Sequence, residues 1–103
     1  MKVIQSNEGT VTLELQREEL KDLHNALGRA ITALEREPGI LNELIRECDG
    51  IEDEDEVRDL IYEAGREEVT VEELKKSLER AKRLLPKVYD LSEGFMKLCY
   101  AQT

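Results

Sequence analysis

The sequence contains no tryptophan and one histidine, with two cysteines and two prolines. Aromatic residues make up 4% of it, namely Tyr62, Tyr89, Phe95 and Tyr100, so any core must be built from Leu, Ile, Val and Ala, which suits helices. No apolar run approaches the roughly 18 residues that cross a bilayer, which predicts no membrane span. The opening MKVIQSNEGT has no apolar stretch of a secretory signal, so a cytoplasmic protein is expected. In that compartment Cys48 and Cys99, both at apolar positions of helical patterns, are expected as reduced buried thiols. Two cysteines and His24 are too few for a usual structural zinc site.

The missing motifs exclude more. There is no phosphate-binding glycine loop and no GxGxxG; the six glycines are isolated. His24 lies between Leu20 and Leu27 at the edge of an apolar stripe, where a histidine without an oriented nucleophile is a structural residue. Carboxylate pairs are abundant, but a small helical chain leaves little room for a sugar cleft. Neither an enzyme nor any cofactor or metal is expected. The segment Tyr62–Leu74 resembles the second half of an EF-hand loop, with Glu73 as the closing glutamate. Tyr62, Ala64 and Arg66 then fall where oxygen ligands are required and Glu67 replaces the glycine, so no calcium site is expected.

What is present reads as one domain spanning residues 1–103. Val11, Leu13 and Leu15 alternate with Thr12 and Glu14, the period of a strand with one buried face. With Val3 and Ile4 before the turn-like Ser6–Gly9, they predict a β-hairpin. Leu20, Leu23, Leu27, Ile31 and Leu34 then recur at helical spacing from about Arg17 to Arg36, where Glu37-Pro38-Gly39 is expected to end the helix. Ile40, Leu41, Leu44, Ile45 and Cys48 predict a short second helix closed by Gly50. Asp53 with Glu56, and Thr70 with Glu73, have capping-box spacing and open two more helices. Pro86 either kinks the last helix or starts a fifth. The expected class is α+β, predominantly helical, with the N-terminal hairpin packed on four or five helices.

Charge is distributed unevenly. The chain carries a net −9, which disfavours direct binding to nucleic acid or an acidic membrane and favours a basic partner. Leu41–Glu73 holds 14 acidic and 3 basic residues, a local −11. Lys75–Lys87 holds 6 basic residues and one acid, a local +5. The residues expected to meet a partner are Glu47, Asp49, Glu52, Asp53, Glu54, Asp55, Glu56 and Asp59, with Tyr62 as an aromatic anchor. Read plainly, such a run is a solvated loop and helix cap. The basic stripe Lys75, Lys76, Arg80, Lys82, Arg83 and Lys87 is expected to pair with acidic helices, within the fold or across a homodimer, rather than to touch phosphate.

The stretch Gly9–Ile31, with Glu18, Glu19, Leu20, Leu23, Asn25, Ala26 and Leu27, resembles the start of small bacterial hairpin-helix proteins similar in size and charge to toxin immunity proteins. The resemblance covers about a quarter of the chain and implies a fold element and a bacterial interaction protein. The resulting expectation is a small acidic protein-binding inhibitor, an immunity protein that neutralises a basic nuclease-type toxin. The alternatives are a phage-encoded nucleic-acid mimic that inhibits a defence nuclease, and a homodimeric structural or regulatory adaptor.

Overall fold

Two strands, β1 (Lys2–Asn7) and β2 (Thr10–Glu14), open the structure, a computed structural model that describes residues 1–100. They are joined through Glu8 and Gly9, and Gly9 takes φ +83°, a region open to glycine at little cost. The strands pair antiparallel, Val3 opposite Leu13 and Ser6 opposite Val11, with an irregularity between Val3 and Gln5. That irregularity inserts Ile4 as an extra residue. Val3 and Ser6, three positions apart, would otherwise point to opposite faces; the bulge brings Val3 onto the face of Val11 and Leu13.

Every residue of both strands is exposed. The buried face expected from Val11, Leu13 and Leu15 is therefore not formed: Val11 is 62% and Leu13 44% exposed, and Leu15 is half-buried. Alternation correctly identifies a strand with an apolar side, but it does not supply a layer to lie over that side.

The helices are α1 (Arg17–Cys48), α2 (Glu54–Glu63) and α3 (Val71–Tyr100). Among the described residues three helices replace the expected four or five, because neither Pro38 nor Pro86 ends the helix that contains it. The reason lies in the apolar stripe. Leu34, Leu41, Leu44 and Cys48 keep the helical spacing across Pro38, so burial of the last three favours a helix that continues through the proline. An interior proline costs about 3 kcal/mol, comparable with what full burial of one or two leucines returns, and Leu41 and Leu44 on its far side are 0% and 4% exposed. Leu74, Leu78, Ala81, Leu85 and Val88 carry the stripe of α3 past Pro86 in the same way.

Caps fix the other ends. Gly50 (φ +85°) and Gly65 (φ +77°) follow α1 and α2. Asp53 caps α2, its Oδ1 accepting the Asp55 N–H at 3.0 Å. Thr70 caps α3, its Oγ1 accepting the Glu73 N–H at 3.2 Å, while Glu73 reaches back to the Val69 N–H at 2.8 Å. At the start of α1, Glu19 accepts from the Gln16 N–H at 3.0 Å and binds the Met1 ammonium, which holds its carboxyl below the usual carboxylate range.

The chain divides into two compact units, one made of Met1–Ile31 with Val88 onward, the other of Thr32–Lys87. In the second unit, Leu41, Leu44 and Cys48 of α1 meet Val57 and Ile61 of α2 and Leu74 and Leu78 of α3; Leu41, Ile61 and Leu74 are fully buried. Among the described residues of the first unit only Ile31 and Cys99 are buried, while Leu20, Leu23, Leu27, Val88 and Phe95 stay half-covered. Both cysteines are free and buried. No helix among the described residues is long and apolar enough to cross a membrane.

Candidate partner-binding surface

The acidic residues singled out in the sequence all lie in the unit Thr32–Lys87 and all are exposed, but they divide by role. Asp53 is the α2 cap, so its carboxylate is committed to the backbone. Asp55 stands 3.8 Å from Arg58. Glu47, Asp49, Glu52, Glu54, Glu56 and Asp59 make no ion pair among the described residues. Glu54, Asp55 and Glu56 occupy the first turn of α2, where the positive end of the helix dipole offsets part of their mutual repulsion.

Two depressions organise part of this surface. One, of about 370 Å³, has Ile51, Val57, Val69 and Val71 beneath Glu52, Glu54, Thr70 and Glu72. The other, of about 490 Å³, is lined by Arg58, Asp59, Tyr62, Arg66, Glu67, Glu68 and Val69. Val69, itself 41% exposed, belongs to both. Tyr62 is 79% exposed, on the helix face shared with Asp55 and Asp59 at spacings of three and four. An aliphatic floor with carboxylates around it accepts a segment that is apolar on one side and cationic on the other. Glu52, Glu54, Asp59 and Tyr62 are thus gathered around Val69; Glu47, Asp49 and Glu56 line neither depression.

Sequence reasoning missed Val69 and Arg66. The guanidinium of Arg66 donates to Glu68 from Nε at 3.1 Å and Nη2 at 2.8 Å, and to Glu37 of α1 from Nη1 at 2.5 Å. Arg66 beside it is the first cause that holds the Glu68 carboxyl down at about 2, with Ser77 assisting. The same pairs push the guanidinium up. The available signal was a single arginine followed by two glutamates inside an acidic stretch, between a helix-stopping glycine and the β-branched Val69-Thr70-Val71.

The basic stripe is open. None of Lys75, Lys76, Arg80, Lys82, Arg83 and Lys87 makes an ion pair among the described residues, so the expected pairing with acidic helices within the fold is not formed there. Lys75, Lys76, Arg80 and Arg83 line a shallow depression on α3 with Glu72 and Glu79. His24 is half-buried, and its Nδ1 is buried with no hydrogen-bond partner. Burial raises the Cys48 thiol above its ordinary value, with Glu47 adding to the shift, which disfavours the reactive thiolate. No group of three or more His, Cys, Asp or Glu side chains among the described residues is placed to hold a metal ion.

No family model matches the chain, and neither a curated protein nor a solved structure is significantly similar to it.

Proposed function

We propose that the chain is a small protein-binding inhibitor, an immunity protein that neutralises a basic, nuclease-type bacterial toxin in the cytoplasm, and that it has no catalytic role of its own. The observation that carries this reading is the surface around Val69, where Glu52, Glu54, Asp59 and Glu67 surround aliphatic side chains and Tyr62 stands open beside them. A nuclease cleft is cationic because its substrate is polyanionic. Carboxylates without internal partners draw such a cleft in, and Val69 and Tyr62 supply contact that excludes water once it arrives. A phage-encoded nucleic-acid mimic would use the same chemistry.

The test is inhibition. Proteins retained from the source lysate at low salt are assayed for nuclease activity with wild type or with Glu52, Glu54 and Asp59 changed to Gln, Gln and Asn. A nuclease inhibited by wild type and released by the triple variant supports the reading. A nuclease inhibited equally by both removes the acidic surface from it, and the absence of any inhibited nuclease removes the inhibitor reading.

The second reading, a homodimeric adaptor, is favoured by the open stripe on α3. Lys75, Lys76, Arg80 and Arg83 of one copy would meet the α2 carboxylates of another. Such a dimer weakens as salt is raised, since exposed charge pairs are screened.

A further inference from the structure

Resting on the partner-binding reading of the acidic surface, we infer that the depression between the starts of α2 and α3 takes one aliphatic side chain of the partner, carried on a basic segment with cationic residues on either side of it. The first ground is the division of labour among the carboxylates. Glu52, Asp53, Glu54, Glu72 and Glu73 stand at these two helix starts. Asp53 is taken up by the Asp55 N–H and Glu73 by the Val69 N–H. Glu52, Glu54 and Glu72 make no ion pair among the described residues, and these three are the ones that line the depression. No lysine or arginine among the described residues lines it. The neighbouring depression differs, since Arg58 and Arg66 belong to its wall. A cationic segment is drawn to the first depression and meets like charge at the second.

The second ground is the floor. Val57 belongs to the buried cluster with Ile61 and Leu74, and Ile51 and Val71 pack against that cluster. The floor is therefore the outer layer of the core and is held from below. A site formed in advance spares a guest part of the ordering cost of binding. Val69, at 41% exposed, is the most open of the four aliphatic side chains, and it is the one an incoming aliphatic group would cover.

Size and charge together identify the occupant. A volume of about 370 Å³ is at the lower end of the range for small-ligand sites, enough for one or two side chains and too little for a helix face. The acidic rim repels phosphates and acidic segments. The aliphatic floor gives a purely hydrophilic cation nothing to bury. An aliphatic side chain between cations uses both rim and floor.

The experiment is a titration of the full-length chain at low salt with three probe peptides, followed by amide chemical shifts. Acetyl-Lys-Lys-Leu-Lys-Lys-amide has the inferred pattern; a second peptide has Ser in place of Leu, and a third has Glu in place of every Lys. The Leu peptide should shift the amides of Ile51, Val57, Val69 and Val71 and bind at least about 10-fold more tightly than the Ser peptide. The Glu peptide should leave them unmoved. Val69→Ser should abolish the preference for Leu over Ser, and Glu52→Gln/Glu54→Gln/Glu72→Gln should weaken both basic peptides. Val11→Ser, at an exposed valine of the hairpin, should change neither. All five substituted positions are exposed, so the amide spectrum away from them should show each variant folded. Equal binding of the Leu and Ser peptides, a Leu preference indifferent to Val69→Ser, or shifts confined to another part of the chain overturns the inference. No nuclease enters this test. A Leu preference that maps to Val69 supports the inference even where no nuclease is inhibited, whereas a nuclease inhibited by a chain without that preference preserves the inhibitor reading and overturns this one.

Discussion

Arg66 and Glu37 are joined at 2.5 Å, a bond from the α2–α3 loop back to the turn of α1 immediately before Pro38. Their side chains are 18% and 29% exposed, and the same guanidinium holds Glu68. A single arginine thereby ties the loop that carries Val69 to the helix on which the core of its unit is built.

Removing that tie should be costly. Arg66→Ala leaves two partly buried carboxylates uncompensated, and a loss of about 2–3 kcal/mol is expected in urea unfolding. Arg66→Lys keeps the charge but not the planar fork, so it should recover only part of the loss.

Acid should weaken the same point. The Glu68 carboxyl is lowered from 4.5 to about 2 by Arg66 and Ser77. A depressed folded-state value means that the contribution is complete above about pH 4.5 and disappears as pH falls toward 2. The shift corresponds to about 3 kcal/mol. Stability measured from pH 6 to pH 2 should fall through this window in wild type. Glu68→Gln should start lower and show a shallower slope there.

The cap and the charge of the acidic run are separable at Asp53. Asp53→Asn keeps a good capping side chain and should leave stability nearly unchanged, while Asp53→Ala should cost about 1 kcal/mol. If the partner-binding reading holds, Asp53→Asn should also leave the partner's dissociation constant almost unchanged, because this carboxylate already serves the Asp55 N–H. Calorimetric titration against the captured partner checks this.

Pro38→Ala should stabilise the chain by about 1–3 kcal/mol, since it restores a missing N–H inside an existing helix and removes the ring's steric demand. Thermal melting reads this directly. A variant less stable than wild type would mean that the proline shapes α1 in a way the core requires.

Local signals in the sequence were legible wherever chemistry is local. The hairpin around Gly9, the caps Asp53 and Thr70, and the stops at Gly50 and Gly65 each depend on a few neighbouring residues. The prolines misled because their local penalty was weighed without Leu41, Leu44 and Cys48 beyond Pro38, whose burial is decided by α2 and α3. The hairpin misled in the opposite direction: Val11 and Leu13 alternate as a buried face would and are exposed. At the candidate surface, the charge count pointed to the region of Glu52, Glu54 and Asp59. Val69 was not legible, since its place between two depressions depends on where the α2–α3 loop falls.

Pro38 and Pro86 also bear on how the molecule comes apart. Each withholds an N–H from the carbonyl four residues earlier, Leu34 and Lys82, so both long helices have an interrupted ladder. The chain passes between its two units after Ile31 and after Lys87, within about two turns of each interruption. Fraying that begins in the thinly cored unit therefore meets a ready stopping place on both rods before it reaches Leu41 and Leu74. Amide exchange should accordingly separate into a fast class from residues before Ile31 and after Lys87 and a slow class around Leu41, Ile61 and Leu74.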